Sequence, residues 1–182
     1  MRLSLYRFEE GVETIGGNRV VYDLTAGVAR FGAAAYDGPA LVWQLDREAR
    51  DAEGALLSRF VQLDPFAHWV IRCDRVDFPA GGIAHPHTHP GPGIRYLLVG
   101  EIEIETEGRA ASYSAGDAWF ESGPDPVTAR ASARAETSFV RVLVLPAEWA
   151  GKRTIRYLER PPETGSRQVA TVLLEHAIAL PR

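Results

Sequence analysis

The sequence predicts an all-β protein, a sandwich or barrel of short strands, and three observations carry that reading. Runs rich in Val, Ile, Leu, Tyr, Phe and Trp recur between turn residues at 19–24, 40–45, 69–78, 94–99, 101–106, 139–145 and 154–158. Regular short strands with turn punctuation are the signature of that class. The 17 Gly and 12 Pro are spread along the chain without a period, so they mark turns and neither collagen nor low complexity. Within 94–106 an apolar run meets Gly100 and continues as Glu101-Ile102-Glu103-Ile104-Glu105. That alternation gives the second of two joined strands one buried and one solvated face.

Two segments are less settled than the strands. Leu45, Ala49, Ala52, Leu56 and Phe60 fall near helical spacing, which makes 45–60 the main helix candidate despite Gly54. The tail at 167–179 carries Val169, Val172, Leu173 and His176 at helical spacing, yet its β-branched content equally allows a strand.

At 182 residues the chain has the length of one domain with enough material for a real core. Its 20 basic against 24 acidic residues give a net charge of −4, and the basic residues are scattered. Nucleic acid and anionic membrane both want a basic face, so neither is an expected partner. A single cysteine, Cys73, excludes an internal disulfide framework and favours a reducing compartment. With no apolar stretch of membrane-spanning length, and Glu9 and Glu10 interrupting any signal-peptide core, the expectation is a soluble, cytoplasmic protein.

Three of the five histidines lie in Gly81-Gly82-Ile83-Ala84-His85-Pro86-His87-Thr88-His89-Pro90-Gly91-Pro92-Gly93. In an extended chain 85, 87 and 89 share one face, and neutral imidazole is the commonest metal ligand. At about 3.3 Å rise per residue, His85 and His89 have backbones ~13 Å apart, so an adjacent pair is expected to bind and the third to act otherwise. A hydrogen-bonded Gly/Pro loop is the competing reading; three histidines on one face before a strong strand weigh against it.

These residues resemble the first motif of the cupin superfamily. Gly81 is followed after five residues by His87-Thr88-His89, and Tyr96-Leu97-Leu98-Val99-Gly100-Glu101 resembles the motif's closing hairpin. Gly116-Asp117-Ala118-Trp119-Phe120-Glu121-Ser122-Gly123-Pro124-Asp125-Pro126 resembles the second motif. The resemblance spans roughly 70–146 and departs at two ligand positions: the family's glutamate falls on Gly93 and its last histidine on Val127. It implies a cupin-like double-stranded β-helix, a jelly-roll barrel, at 68–146. An N-terminal extension at 1–67 would pack on the barrel or add strands to it, and a C-terminal extension at 147–182 would complete one structural domain.

His87 and His89 are the implied metal ligands, for Fe, Mn, Ni or Zn. Glu121 can complete the shell or act catalytically if Trp119 and Glu121 face inward; if Ala118 and Phe120 do, it is solvated. His85 is a second candidate ligand or a general base at the barrel mouth. The motif's register turns Arg95 inward, where its planar fork could receive a carboxylate or phosphate; outward, it would pair with Glu103 or Glu105. Arg141, in another apolar strand, has weaker claims. Tyr96 and Trp119, with Trp69 and Phe120, can wall a substrate pocket or serve as core. Cys73 reads as a small buried hydrophobe.

Two functions follow. One is a metal-dependent enzyme of oxygenase, isomerase, cyclase or lyase type acting on a small organic substrate. The other is a metal-free binding module or sensor for a small organic anion or sugar, held by His87, His89 and Arg95. Cupins commonly dimerise through edge strands, so a homodimer is the expected assembly.

Overall fold

The computed structural model describes residues 1–47, 53–162 and 168–180. As the sequence predicts, the regular structure of the described residues is antiparallel strand, apart from one short helical turn at Ala147–Trp149. No helix among them is long and apolar enough to cross a membrane.

Three five-stranded sheets make up the molecule. The N-terminal sheet contains β1 (Arg2–Phe8), β2 (Val12–Asp23), β3 (Ala29–Tyr36), β4 (Ala40–Asp46) and β5 (Leu57–Phe60), in the order β3-β2-β4-β1-β5. The middle sheet is built from β6 (Trp69–Phe78), β8 (Gly93–Val99), β11 (Ala118–Glu121), β13 (Thr137–Pro146) and β15 (Val169–Ile178), in the order β11-β8-β13-β6-β15. The third holds β7 (Ile83–Thr88), β9 (Glu101–Thr106), β10 (Arg109–Ser114), β12 (Val127–Ala131) and β14 (Arg156–Tyr157), in the order β10-β9-β12-β7-β14. From β6 to β13 the chain passes back and forth between the last two sheets, apart from the β9-β10 hairpin within the third, in the order of an eight-stranded jelly roll.

The N-terminal strands join neither barrel sheet. They stack on the outer face of the middle sheet, where Leu3, Leu5, Val20, Leu41 and Trp43 meet Ile71, Cys73, Ile94, Val140 and Val142 in one buried cluster. The opposite face of the middle sheet looks into the barrel, where Val76, Phe78, Leu97, Trp119 and Phe139 meet Ala84, Ile102, Ile104, Val127 and Ala129 of the third sheet. Alternation along a strand explains the division: neighbours on β13 face opposite ways.

The helix expected over 45–60 is corrected on the described part of that stretch. Residues 48–52 lie outside the described residues; Leu45 and Asp46 end β4, and Leu57–Phe60 pairs with β1, Arg2 opposite Phe60. Sheet pairing thus overrides the helical spacing. The undecided tail becomes β15, whose β-branched residues occupy the free edge of β6 with a bulge between Val172 and Leu174.

Candidate functional site

The barrel encloses a cavity of about 410 Å³. Two cross-strand rows of the middle sheet run on the barrel side, and Trp119, Arg141, Glu121 and Arg72 from them line the cavity. Trp119, Arg95, Arg141 and Asp74 lie side by side across β11, β8, β13 and β6, and the next row runs Glu121, Gly93, Leu143, Arg72. The third sheet supplies Ala84, His87, Ile104, Val127 and Ala129, and 151–155 with 168–170 border the cavity.

A β-bulge decides which histidines enter. Val127 of β12 stands opposite His87, but Ala129 stands opposite Ala84, so three residues of β7 span two of β12. Ala84 and His87 therefore both line the cavity, whereas His85 does not. This corrects the expectation that 85, 87 and 89 share a face. His89 follows the strand, its backbone N–H donating to the Gly123 carbonyl at 2.7 Å, and its side chain joins His87 with ring centroids 4.9 Å apart.

Each buried imidazole is oriented through Nδ1. His87 Nδ1 lies 2.7 Å from the His85 carbonyl and His89 Nδ1 lies 3.0 Å from the Thr154 carbonyl. A carbonyl can only accept, so both Nδ1 atoms carry the proton and both Nε2 atoms keep a lone pair when neutral. Burial is the main force holding His87 below its ordinary value. His89 is held well below it, by burial and then by the guanidiniums of Arg141 and Arg95. Arg141 Nη1 stands 3.5 Å from His89 Nε2.

The charges of the middle sheet are paired along its inner face. Fully buried Asp74 accepts from Arg72 Nε at 2.8 Å and from Arg141 Nη2 at 2.9 Å. Arg141 Nη2 also reaches Thr154 Oγ1 at 3.2 Å, and Arg72 Nη1 donates to the Lys152 carbonyl at 2.7 Å. Trp119 Nε1 donates to Glu121 Oε1 at 2.9 Å, while Glu121 Oε2 lies 2.6 Å from Arg95 Nη2. The latter is a close ion contact off hydrogen-bond alignment: neither atom has an aligned hydrogen-bond partner, nor does Arg95 Nε. Burial draws Arg95 down to about 10, with Glu121 opposing that shift.

Of the expected site residues, the structure brings His87, His89, Trp119 and Glu121 together around the cavity. Arg95 also faces inward, but it is fully buried behind Glu121 and does not line the open space. Tyr96 is a correction: neighbouring Arg95 on β8, it points the other way, into the N-terminal interface, and its hydroxyl accepts from Arg7 Nη1 at 2.6 Å. The sequence reading passed over Arg72 and Asp74, and gave Arg141 little weight. Their signal was period two: Arg72-x-Asp74 and Arg141 interrupt apolar strands on alternating positions.

The donor set fits a divalent ion poorly. A Cβ at Gly93, where the family's glutamate would stand, would lie 2.5 Å from the Val142 carbonyl oxygen and 2.6 Å from Leu143 Cδ2. Val127, at the family's last histidine, is buried opposite His87. Glu121 comes within 3.6 Å of His89 Nε2 but is already engaged by Trp119 and Arg95. Among the described residues no group of three His, Cys, Asp or Glu side chains is disposed to hold a metal.

No family model matches the sequence, and no curated protein matches it. Solved structures do show similarity. An RmlC-like cupin from Shewanella frigidimarina is 18% identical with a TM-score of 0.39, over 43% of this chain and 68% of that one. A cupin superfamily protein from Desulfitobacterium hafniense is 9% identical with a TM-score of 0.38, over 47% and 74%. The polyketide cyclase RemF from Streptomyces resistomycificus is 18% identical with a TM-score of 0.40, over 52% and 63%.

Proposed function

We propose that the barrel cavity is a metal-free binding site for a small organic anion. The observation that carries this is the charge around it: Arg72, Arg95, Arg141, Lys152 and Arg153 against the carboxylates of Glu121, Asp74 and Glu175, with Glu121 held by Arg95, Asp74 shared by Arg72 and Arg141, and Glu175 3.5 Å from Arg72. Arg141 Nε and Nη2 are held by Asp74, which leaves Nη1, beside His89 Nε2, as the guanidinium nitrogen available to a ligand. Charge-assisted bonds from a preoriented guanidinium in a partly dry cavity are strong and specific. His87 and His89, neutral through burial, offer lone pairs to a ligand hydroxyl or acid proton.

Calorimetric titration of the purified protein with a panel of organic acids tests this. Saturable binding that weakens in Lys152→Ala/Arg153→Ala supports the reading. Binding of none of the acids overturns it.

A divalent ion on His87 and His89 is the second reading, and the tautomers favour it: both Nε2 lone pairs are free of protons, the form in which histidine binds metals. It requires Arg141 to leave His89, or Glu121 to leave Arg95. Elemental analysis separates the two. Stoichiometric Fe, Mn, Ni or Zn that disappears in His87→Ala/His89→Ala would establish the metal site in place of the anion site.

A further inference from the structure

Resting on the anion reading, we infer that the ligand is a monocarboxylic acid with an apolar, ring-bearing body, its carboxylate at Arg141 and its body among the barrel's hydrophobic residues. The cavity has two chemically distinct ends. The guanidinium of Arg141, the imidazoles and the Lys152-Arg153 segment gather at one. The other is walled by Val76, Phe78, Ile104, Ala129 and Phe139, each buried and none with a polar side-chain atom.

Trp119 packs against that wall through Phe139, and its single N–H is committed to Glu121 Oε1. A sugar or polyol would therefore carry several hydroxyls into a region where, among the described lining residues, Gln168 Oε1 is the unpartnered side-chain acceptor, and each further buried, unpaired hydroxyl costs binding free energy. A second carboxylate there would be costlier still. A hydrocarbon body loses nothing by that transfer and gains hydrophobic stabilisation. Phe139 also presents a ring to Trp119 edge-on, centroids 5.1 Å apart, so the end is suited to aromatic packing. A volume of about 410 Å³ accommodates a ring-bearing acid and is too large for acetate or formate to fill.

The test is calorimetric titration at neutral pH with naphthylacetate, acetate, gluconate and naphthylacetamide. Naphthylacetate is expected to bind at least about tenfold more tightly than acetate, because its rings are buried. It should also bind more tightly than gluconate and the uncharged amide. Ala129→Phe, which fills the apolar end, should weaken naphthylacetate while sparing acetate; should that variant not fold, the ligand series on the unmodified protein decides alone. If gluconate or acetate binds as tightly as naphthylacetate, the apolar-body inference falls and the anion reading stands. If the amide matches the acid, or no acid binds, both fall.

Discussion

The two faces of the middle sheet carry almost opposite chemistry on the same strands. Along β13, Val140, Val142 and Val144 enter the interface with the N-terminal sheet, while Phe139 and Arg141 turn into the barrel. Along β6, Ile71 and Cys73 go outward, and Arg72, Asp74, Val76 and Phe78 go inward. The outer face is apolar packing crossed by few polar contacts, such as Trp43 Nε1 to the Ile94 carbonyl at 3.1 Å. The inner face holds a buried ion-pair chain. Covering the outer face with a third layer makes the sheet buried on both sides, and this lets a strand as apolar as 139–145 carry one inward-facing arginine. Apolar packing and buried charge are divided by parity along a strand, not by region of the chain.

The largest test of that division removes Asp74. Its carboxylate bonds both Arg72 and Arg141 with no exposure to water, so Asp74→Ala leaves Arg141 without its anion and Arg72 with Glu175 at 3.5 Å in place of a contact at 2.8 Å. A loss of about 3–5 kcal/mol is expected in urea unfolding, as for breaking a buried ion pair from one side. A loss comparable to that of a surface substitution would mean that the inner charges are solvated and the two faces are alike.

Gly93 comes next. Its Cβ would meet Val142 oxygen at 2.5 Å, Leu143 Cδ2 at 2.6 Å and Arg95 Nη1 at 3.1 Å, so Gly93→Ala is expected to cost about 1–3 kcal/mol through overpacking. For the same reason Gly93→Glu should lower the yield of folded protein and create no metal site, which elemental analysis of any soluble variant checks.

How the sequence relates to this site follows from the same parity. Long β-branched and aromatic runs made β4, β6, β8, β9 and β13 legible, and the two histidines that reach the cavity stood out by spacing. Trp119 and Glu121 were legible as a pair, since they share a face, but which face was open until β11 paired with β8. His85 and Tyr96 went astray for different reasons. A bulge around Pro86 broke the period on which His85 depended, and bulges leave little trace in a single sequence. Tyr96 followed the period faithfully, so an inward Arg95 already required it to point outward; proximity in sequence had concealed the contradiction. Asp74 was invisible as a partner because it meets Arg141 67 residues away. The third layer was illegible because nothing in residues 1–47 states which surface they cover.

A smaller effect needs no mutation. His87 and His89 are held below their ordinary 6.5 in the folded protein, chiefly by burial. Their contribution to stability is therefore complete above pH 6.5 and is lost as pH falls through and below that value, because the unfolded chain then binds protons that the folded one refuses. Unfolding free energy measured against pH should decline on the acid side. Amide exchange should show loosening first around the cavity, with the N-terminal interface protected longest. Simultaneous loosening of both would dissolve the distinction between the faces.

Tyr96→Phe probes the distinction from the quiet side. The substitution keeps the ring among the outer-face core and deletes only the hydroxyl that accepts from Arg7 Nη1 at 2.6 Å. Arg7 is partly exposed and also pairs with Glu9 at 2.7 Å, so water and that carboxylate can take over its N–H groups. The expected loss is about 0.5–1.5 kcal/mol, the net value of one hydrogen bond. Organic-acid binding should be unchanged, since Tyr96 points away from the cavity. Trp119→Phe is the matched change on the inner face. It removes the indole N–H that donates to Glu121 Oε1, leaves that carboxylate held by Arg95 alone, and should weaken acid binding by loosening a negative charge that lies 3.6 Å from His89 Nε2 at the ligand's end of the cavity. If Tyr96→Phe weakens binding as much as Trp119→Phe, the side-chain parity of β8 is not what separates scaffold from site.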